Sequence, residues 1–439
     1  ARILLARGIE VSGSDAKDSR RLQALKPLGG KVFIGHDPSN LEISGTKPTC
    51  VVISSAIGQD NTEVVAAKEL GIPVISRATA LAELLAEAKT ISVAGTHGKT
   101  TTTSMATAIL QYAGKDPSFV IGSEMNESGS NAHQGTGDLF VVEADESDGT
   151  FLVLPTTLGI VTNVEADHLN YWGSYDAIEQ AFVDFIVGTG ARNGCAVVCG
   201  DDPGAKVVTN RARELGANVI TYGQSKENDA VLNLLPSGSI GSEFTVTYQG
   251  QTHGPIKLLV PGVHNALNAT AAFISALIQG CSSQQCVDGL QSFTGTHRRF
   301  EFRGEVSGVR VFDDYAHHPT EIEVTLTAAR RFAGEGRLIV VFQPHRYSRT
   351  KAFIDNFAST LDLADEVIVL EIYAASEKPI AGISSEAIVE KMTHGKFIPN
   401  FIDAVDAVVK SAKPGDVVIT LGAGDVSSLA PIIVDELAK

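Results

Sequence analysis

The apolar stretch TISVAG runs straight into Gly95-Thr-His-Gly-Lys-Thr-Thr-Thr102, and that loop opens the helix-forming segment TTTSMATAILQ. A strand that ends in a glycine-containing turn and restarts as a helix aims several backbone N–H groups, and here the Lys99 ammonium, at one point in space. The chemistry offered is capture of a polyphosphate. Strictly, a phosphate loop of this kind carries a glycine five residues before Gly98, where Val93 stands. Alone, the shortened G-x-x-G-K-T could be a tight turn before a helix. Between a strand and a helix it predicts a triphosphate site formed by Gly95, Thr96, His97, Gly98, Lys99, Thr100 and Thr101, with the Thr100 hydroxyl on Mg2+.

Apolar strands and helices alternate on both sides of this segment, so the fold class is α/β. At about 150 residues per domain, 439 residues predict roughly three domains. The pattern divides them as 1–88, 89–296 and 297–439: an N-terminal Rossmann-like domain, a central P-loop ATPase-like domain and a C-terminal Rossmann-like domain. The first opens on ARILLARG, the second half of a helix with no strand before it. The expectation is that the first strand and its glycine-rich turn are missing.

Lys and Arg number 35 against 51 Asp and Glu, so 35 − 51 gives a net charge of −16. That balance argues against nucleic-acid partners, because phosphate backbones recruit basic surfaces. No apolar run reaches the roughly 18 residues a bilayer span needs, so no membrane insertion and a cytoplasmic location are expected. The five cysteines read as reduced thiols. Cys195 and Cys199 sit along one strand, and Cys281 and Cys286 are expected to point in different directions.

Strand LFVVEAD ends in Glu143-Ala-Asp-Glu-Ser-Asp148, four carboxylates that repel one another unless a cation or solvent screens them. A solvated acidic loop is one reading. Its position at the ligand-binding end of a parallel strand favours Mg2+ ligation by Glu143. Strand LGIVTNVEADHLN brings Asn163, Asp167 and His168 to the same rim, where they could position that ion or hold a second. In the third domain, DDYAHHP and QPHRYSRT are expected to end adjoining strands, with His345, Arg346 and Arg349 gripping a carboxylate or phosphate. Gly422-Ala-Gly-Asp425 reads equally as a site or as a plain turn.

GTHGKTTT, EADESDGTF, TNVEADH, PGVHNALNA, RRFE, DDYAHHPTE and FQPHRYSRT follow in this order over nearly the whole chain. Together they resemble the Mur ligases of peptidoglycan synthesis, in particular the branch that joins L-alanine to UDP-N-acetylmuramate. The resemblance implies an ATP-dependent amide-forming reaction through an acyl phosphate. It also implies two Mg2+ ions, with Mn2+ a possible substitute, and small-molecule partners: UDP-N-acetylmuramate, L-alanine and ATP. Lys99, Glu143, His168 and His317 are then the catalytic set, and Thr100, Glu143 and His168 the metal ligands. Asn268, Arg299 and Asp314 join the loop around ATP. Tyr315, His317, His345, Arg346 and Arg349 resemble the alanine pocket. Ser14, Asp15, Ser54, Ser55, Ala56, Arg77, Asn131 and His97 resemble the UDP-sugar contacts. Monomer and homodimer both remain open. A dehydrogenase would explain the alternating domains but not GKTTT. A non-catalytic nucleotide-binding scaffold is the other rival.

Overall fold

The computed structural model describes residues 1–439 apart from 43–44, 55, 124, 126–129, 237–240 and 376, and describes only the backbone of 20, 21 and 170. Ser55, expected at the UDP-sugar site, lies outside the described residues.

The first segment holds four short strands, β1 (Ser12–Asp15), β2 (Lys31–Ile34), β3 (Val51–Ile53) and β4 (Val74–Ser76). They form two separate parallel pairs, β1–β2 and β3–β4, and no strand among the described residues joins them. Ile3 and Leu85 bury in the core of the next domain, and Arg7 Nε donates to Gln134 Oε1 at 2.8 Å. The first domain is thereby fastened to the second.

Ten strands make the central sheet: β5 (Lys89–Ala94), β6 (Ser118–Val120), β7 (Ala132–His133), β8 (Leu139–Glu143), β9 (Thr156–Val161), β10 (Cys195–Cys199), β11 (Val219–Gly223), β12 (Ala230–Leu234), β13 (Ser242–Tyr248) and β14 (Gln251–Leu258). Their order is β14-β13-β12-β11-β10-β9-β5-β8-β6-β7. The phosphate-loop strand β5 lies between β8 and β9, parallel to both, with Val93 opposite Glu143 and Ala94 opposite Val161. Five of the six β5 residues and all of β10 are buried, as for parallel strands covered on both faces. Helices Lys99–Tyr112 and Val263–Ile278 bury Met105, Ile109 and Phe273 on one face, and helices Tyr175–Gly190 and Pro203–Glu214 bury Phe182, Ile186 and Val208 on the other. Each such side chain contributes about 1.5–3 kcal/mol relative to exposure.

The third sheet has β15 (Glu301–Val306), β16 (Val309–Asp314), β17 (Leu338–Phe342), β18 (Glu366–Val369), β19 (Gly395–Phe397) and β20 (Val417–Leu421) in the order β15-β16-β20-β17-β18-β19. Here the sequence expectation needs correction. The strands that end in DDYAHHP and QPHRYSRT do not adjoin, because β20 lies between them and pairs Leu421 with both Asp314 and Phe342. Chain order does not reveal which strand is inserted. All five β20 residues are buried, so the last strand is the natural centre of the sheet. The GAGD segment that follows is a turn packed on its neighbours: a Cβ on Gly424 would lie 2.3 Å from Gln343 Oε1.

The cysteines also differ from expectation. All five are free, but the Cys281 and Cys286 thiols lie near enough to shift each other's titration instead of diverging. Ser282 caps the helix Ser283–Gln291, which puts Cys281 just before the cap and Cys286 in the first turn, a spacing at which side chains meet.

Candidate active site

The phosphate loop is held from the neighbouring strand. Asn163, just beyond β9, accepts the His97 N–H at 2.7 Å and donates to the His97 carbonyl at 3.0 Å. Gly95 and Gly98 have φ of +130° and +84°. A Cβ on Gly95 would meet Thr162 Oγ1 at 2.0 Å, and one on Gly98 would meet Asn268 Oδ1 at 2.7 Å. Only glycine suits either position. The close approach also seats Asn268 directly against the loop.

Lys99 leads the helix Lys99–Tyr112 and folds back to donate to the Gly95 carbonyl at 2.7 Å and to Glu146 at 2.8–2.9 Å. Burial opposes its charge, but Glu146 and Asp145 outweigh that and raise its pKa. Glu146 itself is pushed up to about 7 by burial, with Lys99 opposing. Glu146 is a site residue that the sequence reading did not single out. The acidic run was visible; which of its four carboxylates faces Lys99 depends on how the loop folds after β8.

Thr100 Oγ1 donates to both Glu143 oxygens, at 3.0 and 3.1 Å, and the Gly122 N–H holds Glu143 Oε2 at 2.7 Å. A hydroxyl and a carboxylate converging beside a phosphate loop are hard oxygen ligands suited to Mg2+. His168 lies 3.8 Å from Glu146 and 3.5 Å from Asp167, and burial lowers its pKa, leaving a neutral ring able to ligate. Glu146 thus joins Lys99 to His168.

Across the cleft, Asp314 is buried at the end of β16 and accepts the N–H groups of Phe300 at 2.6 Å and Ala316 at 2.7 Å. Burial raises it to about 6. Gly98, Thr101, Asn268, Arg299, Asp314 and Glu321 line a cavity of about 330 Å³ between the second and third domains. That is within the range of small-molecule sites. Tyr315 stacks under both Arg298 and Arg299, with the guanidinium carbons 4.9 and 5.2 Å from its ring centre. His317 Nδ1 donates to the Tyr315 carbonyl at 3.0 Å, and its ring is 5.5 Å from that of His345. Burial lowers His317 to about 4 and His345 to about 3. Arg346 takes a positive φ of 73° at the start of the helix Tyr347–Leu361, and its N–H donates to the Tyr373 carbonyl. Arg349 is 3.3 Å from His345 Nδ1 and reaches across the domains to Asp167 Oδ1 at 3.7 Å.

In the first domain the expected residues lie apart from this cluster, at strand ends. Ser14 and Asp15 close β1, Ser54 and Ala56 follow β3, and Arg77 follows β4. Ser14 Oγ donates to Glu63 Oε2 at 2.6 Å. Asn131 pairs with Ile121 through its carbonyl. The His97 ring turns to the third domain, with Nδ1 3.3 Å from Glu321, Nε2 3.6 Å from Glu165 and the His318 ring 5.1 Å away. Two carboxylates attract it there.

Comparison with known proteins gives the frame for these residues. The Mur ligase catalytic domain matches residues 1–89, the Mur ligase middle domain matches 93–276, and the Mur ligase glutamate ligase domain matches 298–424. The chain belongs to the Mur ligase family. A UDP-N-acetylmuramate–L-alanine ligase of Acidothermus cellulolyticus is 48% identical over 444 residues, covering 100% of this chain and 92% of that protein. Its counterpart in Saccharopolyspora erythraea is 47% identical over 446 residues, covering 100% and 90%. The crystal structure of a UDP-N-acetylmuramate-alanine ligase from Thermotoga maritima superposes with a TM-score of 0.81 at 28% identity, covering 98% of this chain and 94% of that one.

In this Mur ligase, His97 ties the middle domain to the C-terminal one, and the tie is pH-dependent. Burial opposes the imidazolium, but the Glu165 and Glu321 carboxylates beside it raise its pKa from 6.5 to about 9. A folded-state pKa above the unfolded one contributes stability that is complete below about pH 6.5 and is lost as pH rises through about 9. Thermal melts should therefore show wild-type protein losing more stability between those pH values than His97→Gln. Equal losses would refute the charged pair.

Proposed function

We propose that this Mur ligase joins L-alanine to the lactyl carboxylate of UDP-N-acetylmuramate, with ATP converted to ADP and phosphate, in peptidoglycan precursor synthesis. Residues 1–88 take the UDP-sugar, 89–296 the ATP and 297–439 the amino acid. The observation that carries this reading is the Arg349–Asp167 contact at 3.7 Å, which sets an arginine of the amino-acid domain beside His168 and the acidic rim of the ATP domain.

The sugar's carboxylate attacks the γ-phosphoryl group, ADP leaves, and an acyl phosphate remains. Alanine's amine then attacks the acyl carbon and phosphate departs. Lys99, released from Glu146 by the incoming triphosphate, neutralises charge on the transferring group. Thr100, Glu143 and His168 are the residues that would hold Mg2+, which supplies further charge neutralisation when bound. Arg349 and Arg346 orient the amino acid's carboxylate. A His317 whose pKa is lowered to about 4 is too weak a base to keep the proton of an ammonium. Its role is to accept a hydrogen bond and aim the amine, and the proton passes to water.

The test is phosphate release from ATP with UDP-N-acetylmuramate and each amino acid in turn, the product being weighed by mass spectrometry. Release that depends on both the sugar nucleotide and alanine, with an alanyl adduct, is expected. Phosphate release indifferent to the sugar nucleotide would sink the proposal.

A further inference from the structure

A second group of ligating side chains lies outside the Thr100, Glu143 and His168 set. His97 comes from the phosphate loop, Glu165 from the segment after β9, and His318 from the residue that opens the C-terminal-domain helix Pro319–Ala333. Each can offer one ligand atom, and those atoms lie within 4.8 Å of one another.

We propose that His97, Glu165 and His318 bind a divalent metal of the Zn2+ class, bridging the middle and C-terminal domains. Three observations support this site. His318 is 5% exposed, yet among the described residues neither of its ring nitrogens has a hydrogen-bond partner; its ring lies between Phe353 and His97, 4.7 and 5.1 Å away. Buried imidazole nitrogens are normally satisfied, so two that are not call for a ligand. His97 Nε2 is likewise buried with no hydrogen bond among the described residues, Glu165 Oε2 lying 3.6 Å away, while Nδ1 faces Glu321 at 3.3 Å. A carboxylate on the far nitrogen is the arrangement that orients a ligating histidine. Finally, Glu165 Oε2 accepts from Thr320 Oγ1 at 3.0 Å, which fixes the third ligand.

The donor set selects the ion. Two imidazoles and one carboxylate suit Zn2+ and leave a fourth position open, whereas the oxygen ligands Thr100 and Glu143 suit Mg2+. Because ligands come from both domains, a bound ion ties them together and should inhibit turnover that requires them to part.

The experiment is a titration of the full chain with Zn2+, and with Co2+ as a spectroscopic substitute, in a large excess of Mg2+. One equivalent should bind, with the visible bands of four- or five-coordinate Co2+. His318→Ala, His318→Gln and Glu165→Gln should each weaken binding at least about tenfold, with His168→Ala leaving it intact. Melting curves identify any variant that fails to fold, and the remaining substitutions, drawn from both domains, then decide. Zn2+ inhibition of phosphate release should shift to higher concentration in His318→Gln. Absence of binding, binding unchanged by these substitutions, binding lost with His168→Ala alone, or thiolate charge-transfer bands in the Co2+ spectrum would each overturn the proposal. Because binding is read without turnover, the result stands apart from the test of the ligase reaction.

Discussion

Lys99→Ala is expected to lower the rate of ADP-forming turnover more than about a hundredfold, the usual loss when one charge-stabilising donor is removed from a preorganised site. The structure adds a second expectation. Removing the ammonium strands Glu146, a carboxylate only 3% exposed and already raised to about 7 by burial. A buried carboxylate without a cation takes up a proton instead of remaining charged. The variant should therefore fold, and Lys99→Ala combined with Glu146→Gln should melt no lower than Lys99→Ala while remaining equally inactive. Steady-state kinetics and thermal melts check both points. Retention of activity within about tenfold of wild type would remove Lys99 from the chemistry.

Arg349→Ala should raise KM for alanine about tenfold to a hundredfold, as expected for loss of a charged hydrogen bond worth about 1.5–3 kcal/mol, and leave KM for ATP unchanged. Arg349→Lys should fall between, because an ammonium keeps the charge but not the planar fork. Arg349 also faces Asp167, which burial pushes up but the neighbouring His168 and Arg349 hold down at about 2. A rise in KM for all three substrates together would mean that Arg349 serves to hold the domains, and that the amino acid's carboxylate is bound elsewhere.

The two residues differ in how they could be known. Lys99 and Thr100 announce themselves within a few positions of a strand end and a helix start, because phosphate capture by backbone amides needs only local geometry. Glu143 is legible for the same reason, as the last residue of an apolar strand. The β16-β20-β17 order was not, since pairing between strands distant in sequence leaves no trace in either one's periodicity. The expectation that DDYAHHP and QPHRYSRT adjoin failed on that point, although both still face the cleft from either side of β20.

Sequence alone determined the kind of chemistry: a phosphate loop, an acidic strand end and an arginine-rich rim, each a run of neighbours whose types and spacing dictate what they can grip. The tertiary structure decided which of those groups meet. Glu146 under Lys99, Glu165 and Glu321 around His97, and Asp167 against Arg349 are contacts made 47 to 224 positions apart in the chain. Such partners are chosen by how loops fold within a domain, how domains pack and where opposite charges meet, which no local pattern of residues encodes.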